Sequence, residues 1–433
     1  MKKNLVIKIV PLILILSLYF IVKPEGLALA GWKTILIFLA AAYLWATEII
    51  DISITALGII LLLLVTNAVP AATALSGFSS SALFLVLIGF MLGLALTASS
   101  LDKRLASSIL KYSSKEHTIT LGVIIMTASL SMIMTNTATT LLMLPILARI
   151  VKDTKINKTS LHLCMAFAAN IGGAAFLIGT PPNLIAAEAL NLSFNQWLIF
   201  GFPFAIIMLL LLYLSASLYF KPSPKKIKII AKKQAPLSTK EKTTAAIILG
   251  TILLWITAPL HSLSTVSVGL LGGLFLLLTT YSFSYFYKHT DWGIVFLIAG
   301  TISLGNALTQ TGAATWMAKT LLTTTGITTP LFIAFGFVIF SMMISQFIQN
   351  TAIAAIMTPV LLGVATTLNV SPSAFIIPMA IGVSMSFLLP SATAPNAIVF
   401  KAGKIRIKEM ASFGIIPTIF ALLLLFGLCS ILI

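Results

Sequence analysis

Acidic residues are scarce. The 433-residue chain holds 10 Asp and Glu against 27 Lys and Arg, and charged residues make up only 9% of it. A soluble domain of this length needs charge to cover its surface, so a water-soluble globular protein is excluded. Cysteine is nearly absent too: Cys164 and Cys429 lie in apolar sequence and offer neither a disulfide framework nor a metal site. His117, His162, His261 and His289 fall near the ends of apolar runs, share no metal-ligand spacing and read as loop residues. Neither His-Glu-x-x-His nor Gly-x-Ser-x-Gly occurs, so an intramembrane hydrolase lacks its nucleophile or metal.

Apolar sequence is what remains, at 59% hydrophobic residues and a mean hydropathy of +1.10. Runs of ~20 apolar residues cross a bilayer, which makes this an all-α polytopic membrane protein. The first run, 5–22, follows Lys2 and Lys3 and has no small-residue cleavage site after it. It is expected to be an uncleaved N-terminal transmembrane helix within 1–30. The net charge of +17 fits retained cytoplasmic Lys and Arg, and no nucleic-acid partner is expected. Tryptophans and the aromatic run from Tyr281 to Tyr287 fit an interfacial belt against the lipid bilayer.

The stretch Lys221 to Lys242 carries eight lysines and one acid, and reads as a basic cytoplasmic linker over 221–243. It separates two similar halves, 31–220 and 244–433. Ala95-Leu96-Thr97 recurs as Ala307-Leu308-Thr309, 212 residues later, and Asn136-Thr137-Ala138 as Asn350-Thr351-Ala352, 214 later. Pro145 recurs as Pro359 at that same offset, and Pro182-Asn183 as Pro395-Asn396, 213 later.

Charge then sets the topology. Spans near 33–50, 54–69 and 82–100 precede the basic stretch Lys103, Arg104, Lys111 and Lys115, and Arg149, Lys152, Lys155 and Lys158 are basic again. Both clusters share one face only if 118–150 is a re-entrant hairpin. Spans near 161–190 and 197–219 reach the linker; 244–260, 264–281 and 292–312 lead to a second hairpin near 330–362 and two last spans flanking Lys401 to Lys408. Six spans before the linker and five after it leave only Lys23, Lys33 and Lys319 facing outward. The halves are then inverted repeats in a bacterial inner membrane, N-terminus cytoplasmic and C-terminus outside, with a site at the midplane. A channel fits less well than alternating access.

Two features of each half carry chemistry. In the first hairpin, Ser131, Thr135, Asn136 and Thr137 put hydroxyls and an amide into apolar sequence, where they are expensive unless satisfied. Thr139 and Thr140 read as helix-packing residues. Gly179-Thr180-Pro181-Pro182-Asn183 and Ala392-Thr393-Ala394-Pro395-Asn396 break their spans. Carbonyls freed at Gly179 and Ala392 can face a cation, and the following helix N-termini an anion. Glu48, Asp51 and Glu188 belong to no repeated motif and read as structural.

These hairpins and Pro-Asn segments, with Asp291-Trp292-Gly293, Gln310-Thr311-Gly312 and Pro395 to Phe400, resemble the divalent anion/sodium symporter family, the INDY-like dicarboxylate transporters. The resemblance spans the chain after its first helix. It implies about eleven transmembrane helices plus two re-entrant hairpins, a homodimer and an elevator motion. One sodium site would use Ser131, Thr135, Asn136 and Gly179, and the other Ser345, the Ile348 backbone, Asn350 and Ala392. Substrate carboxylates would meet Asn136, Thr137, Asn350 and Thr351, with Thr180 and Thr393 nearby and Gln349 where the family has serine. Sodium ions would neutralise a small dianion such as succinate, malate or fumarate, and no organic cofactor is implied. Ala394 stands for the proline kept at Pro181, and Lys401 for a small residue. An inward-pointing Lys401 would favour sodium-independent exchange; a snorkelling one would be ordinary. A carrier of sulfate or another inorganic anion remains open.

Overall fold

The computed structural model describes residues 23–107, 115–153, 156–221 and 235–433, with scattered positions between 12 and 18. The expected first span and most of the lysine-rich linker therefore lie outside the described residues. The helices of the first half are α1 (Leu29–Thr47), α2 (Ile52–Val65), α3 (Ser81–Ser99), α4 (Glu116–Ser131), α5 (Asn136–Asp153), α6 (Lys158–Ala175), α7 (Pro181–Leu190) and α8 (Phe194–Phe220). Those of the second are α9 (Thr239–Ile256), α10 (Thr265–Thr279), α11 (Phe283–His289), α12 (Trp292–Gln310), α13 (Ala313–Thr325), α14 (Pro330–Ile344), α15 (Asn350–Leu368), α16 (Ser373–Ser384), α17 (Ala394–Gly403) and α18 (Ile407–Leu432). No strand occurs among the described residues.

Side-chain caps place many of the starts. Asp51, Ser80, Asn157, Ser238, Ser264 and Asp291 each accept a backbone N–H from the first turn that follows, satisfying donors the helix cannot satisfy itself. Ser238 with Glu241 forms a capping box, so α9 begins within the tail of the lysine-rich stretch. Arg104 meets both Glu241 oxygens, at 2.7 and 3.2 Å, and also the Ala235 carbonyl. That guanidinium holds the Glu241 carboxyl down to about 2.

The two halves interlock reciprocally. α2 packs on α12 and α10 on α3; α7 packs on α15 and α17 on α5; α6 packs on α17 and α16 on α7. Each half thus completes the other, and neither buries its faces alone. α6 and α16 sit at the centre, with 160–175 and 374–384 buried on every side. Small residues allow this: Gly172 packs against the Ala128 backbone, and a Cβ on Gly77 would collide with the Ala299 carbonyl.

Two bends were not legible beforehand. α10 turns into α11 at 114°, and α13, which lies outside the spans read from the sequence, meets α14 at 103°. The histidine reading needs correction as well. All four histidines lie in helices, not in loops: His117 in the first turn of α4, His289 in the last turn of α11, His261 at the end of a one-turn helix (Ala258–His261) and His162 one turn into α6. His162 is buried, with Nδ1 2.6 Å from the Lys158 carbonyl.

Overpacking a close helix crossing typically costs about 1–3 kcal/mol. Gly77→Ala should therefore lower the thermal midpoint of the purified protein, because the turn at Gly77 and α12 must separate. Gly250→Ala has open space around it and should leave the midpoint unchanged or raise it.

Candidate functional site

Four helices begin at one place. α5 and α15 start at the tips of the two hairpins, and α7 and α17 start just past the two broken segments. Their N-cap positions, Thr135, Gln349, Thr180 and Thr393, all line a cavity of about 160 Å³, room for roughly five waters. No titratable side chain lines it. Each helix start brings a positive dipole end; α5 and α15 add unpaired first-turn amides and α17 that of Ala394, whereas Pro181 and Pro182 leave α7 none, so the cavity is electropositive without a single cation.

Every residue expected to meet substrate is there: Asn136, Thr137, Thr180, Gln349, Asn350, Thr351 and Thr393. Of the residues expected to hold sodium, Thr135, Asn136, Gly179, Asn350 and Ala392 line the cavity. Ser131 and Ser345 do not; they are fully buried behind the hairpin tips. Ile348 is half-buried in the turn before Gln349 and lies off the cavity wall. Lys401 is also absent from the lining: it occupies the exposed last turn of α17, which matches the snorkelling reading.

The hairpin tips differ in capping. Thr135 Oγ1 accepts the Ala138 amide at 3.3 Å. Gln349 caps nothing with its side chain, so the first amides of α15 are freer and its own amide is exposed at the cavity. Behind the first tip, Ser131 Oγ lies 2.7 Å from Asn136 Oδ1 and 2.8 Å from the Ala169 carbonyl. Behind the second, Ser345 Oγ lies 2.7 Å from Ser386 Oγ, and Asn350 Oδ1 is buried without a hydrogen-bond partner. An orphaned buried acceptor is costly, and a cation is the kind of ligand that suits it. The residues present therefore fit sodium.

The asparagines of the Pro-Asn segments do something else. Asn183 and Asn396 are fully buried and do not line the cavity. Asn183 Nδ2 donates to the Gly173 and Phe176 carbonyls at 3.0 and 2.8 Å; Asn396 Nδ2 donates to the Ser386 and Leu389 carbonyls at 2.9 and 3.1 Å. These carbonyls lie at the ends of the broken helices, where the Phe176 and Leu389 oxygens also accept the Gly179 and Ala392 amides. Each asparagine is thus a clamp that folds its short helix back onto the one before it. Asn170, which sequence reasoning missed, adds a cross-link: its Nδ2 lies 3.2 Å from both Thr393 Oγ1 and Asn396 Oδ1. A lone amide in the apolar α6 run was the only signal for it.

The charged residues keep structural places. Glu188 Oε2 accepts the Ala82 amide at the start of α3, Asp51 caps α2, and Glu48 ends α1 in a left-handed conformation with φ 47°.

A second cavity of about 280 Å³ shares Gly89, Phe90, Thr135, Thr137 and Ile294 with the central one and runs to His289 and Asp291. A larger one of about 720 Å³, near Ser76, Asn306 and Gln310, shares no lining residue with it.

Removing an asparagine at a hairpin tip takes away a hydrogen bond to a charged ligand, worth about 1.5–3 kcal/mol. Asn136→Ala and Asn350→Ala should each weaken anion binding by at least about tenfold, measured by calorimetry, with little change in thermal midpoint. Asn396→Leu should instead lower the midpoint by removing the clamp's two buried hydrogen bonds to the Ser386 and Leu389 carbonyls.

Comparison with known proteins places this architecture. The family model described as "Citrate transporter" matches residues 42–345 and 253–433. The sodium-dependent dicarboxylate transporter SdcS of Staphylococcus saprophyticus is 31% identical, covering 93% of this chain and 86% of its own. An uncharacterised transporter of Methanocaldococcus jannaschii, MJ0672, is 31% identical over 90% of this chain and 91% of its own. In fold, the Alcanivorax borkumensis YdaH transporter superposes with a TM-score of 0.61 at 14% identity, covering 94% of this chain and 98% of that one. The chain is therefore a membrane transporter, not an enzyme, and belongs to the citrate-transporter family in its divalent anion/sodium symporter branch.

Proposed function

We propose that this protein is a secondary active transporter that carries small di- or tricarboxylates of the succinate, malate and fumarate class together with sodium ions. One observation supports this above the others: four helix N-termini meet at a single uncharged cavity. The amides of α5, α15 and α17 and the Asn136, Thr137, Asn350 and Thr351 side chains meet the carboxylates, with Gln349, Thr180 and Thr393 completing the wall and α7 contributing its dipole alone. Sodium is held behind each hairpin tip and offsets the dianion's charge; the S. saprophyticus relative is itself named a sodium-dependent transporter of dicarboxylates. Coupling follows because the same asparagine serves both ligands: its oxygen faces the cation and its amide hydrogens the carboxylate.

The transport step in this reading is an elevator motion. α4–α8 and α14–α18 contain the hairpins and broken helices, and move against a scaffold built from α1–α3 and α9–α13. The halves are taken as inverted repeats, with 1–30 an added helix and 221–243 cytoplasmic. Two chains pair as a homodimer in the bacterial inner membrane, N-terminus inside and C-terminus outside. The central cavity shares a wall with the one at His289 and Asp291, on the face that the basic residues assign to the cytoplasm in this reading. The conformation described is then inward-facing.

Uptake of labelled succinate into proteoliposomes tests this. An inward sodium gradient should drive accumulation into empty vesicles, and equal sodium on both sides should abolish it. Uptake that ignores sodium and requires preloaded dicarboxylate would refute symport.

A further inference from the structure

The two halves differ at a position that neither hairpin contains. Their matched clamps define it: Asn183 holds the Gly173 and Phe176 carbonyls, and Asn396 those of Ser386 and Leu389, so Ser386 stands where the first half has Gly173. Gly173 makes room for Asn136, since a Cβ there would collide with the Asn136 side-chain oxygen. That oxygen consequently reaches Ser131 Oγ at 2.7 Å, while Ser131 Oγ lies 2.8 Å from Ala169 O. A hydroxyl carries one proton, so three oxygens share one donor. Such an oxygen-rich cluster suits a hard cation.

Ser386 brings a Cβ and a hydroxyl to the equivalent place. Its Oγ is 2.7 Å from Ser345 Oγ and 2.9 Å from Val383 O, and Ser345 Oγ is 2.8 Å from Met342 O. Every proton of this pair has an acceptor within it or on an adjacent carbonyl. Asn350 Oδ1, the counterpart of the oxygen that meets Ser131, is left buried and unpartnered. Ser345 is held by Ser386 instead of by its hairpin asparagine.

We propose that Ser386 makes the two cation cradles unequal: the Ser345–Ser386 hydroxyl pair must open before Ser345 can ligate, so the second-half cradle holds sodium more weakly than the first. This rests on the sodium-coupled reading of the site. Opening one net hydrogen bond corresponds to about fivefold in affinity.

The test is sodium binding without substrate. The thermal midpoint of the purified full-length protein is titrated with NaCl against choline chloride at constant ionic strength. Wild type should rise in two steps. Ser386→Gly should move the weaker step to about fivefold lower sodium and leave the stronger in place. Ser386→Ala, which removes the hydroxyl but keeps the Cβ, should move it the same way, separating the hydroxyl pair from any glycine effect on the backbone. Gly173→Ser should weaken the stronger step. Midpoints in choline report folding independently. Variants at Ser386 that bind sodium less tightly, or no differently, would overturn the inference. These shifts without carboxylate uptake would leave it standing and overturn the substrate reading; a wild type with no sodium response would overturn it while leaving carboxylate transport untouched.

Discussion

Four positive helix ends facing one another across about 160 Å³ of uncharged space repel in a low-dielectric interior, and the structure depends on containing that repulsion. The helices cannot relax apart. α7 and α17 are clamped to the helices before them by Asn183 and Asn396, and those helices, α6 and α16, are buried from 160 to 175 and from 374 to 384. α5 and α15 are held by hairpins whose outer helices, α4 and α14, pack on α6 and α16 in turn. The field this creates is preorganised for an anion. A binding site built from arginines would supply charge directly but would keep it when empty, which is expensive at membrane depth. Helix ends, hydroxyls and amides give a weaker field, which in the proposed symport mobile cations complete and then leave.

Much of this site was legible because polar residues in apolar sequence are conspicuous. Asn136-Thr137 and Asn350-Thr351 stand out by type and by recurrence, and all four line the cavity. Proline marks where α7 and α17 start, since it tolerates the first turn and not the interior. The asparagine beside each proline was equally conspicuous, yet it turns inward to hold backbone carbonyls. Local sequence identifies a polar group without saying which unpaired atoms lie within its reach. Gly173 and Ser386 illustrate the same limit. Each acts on a hairpin about 40 residues earlier, a contact that exists only once α6 and α16 have packed. The bend between α13 and α14 was hidden for another reason: threonine-rich α13 is too polar to read as a span and too apolar to read as a loop.

The recurring motifs also work as an internal control. Where the halves agree, as in the two asparagine clamps, the device is required by the broken-helix geometry itself. Where they differ, the difference falls on the ligand side: Thr135 against Gln349 at the cavity wall, Gly173 against Ser386 behind it, Asn170 with no amide counterpart at Val383. One frame thus presents two unlike faces to a ligand with two chemically similar ends, and asymmetry in the substrate or in the bound cations is the natural consequence.

The central claim is that the cavity recognises negative charge through helix ends and amides. Calorimetric binding of succinate and of its neutral diamide, to the purified protein in sodium, tests this directly. Saturable binding of succinate with none detectable for the diamide is the predicted result. Comparable binding of both would contradict it.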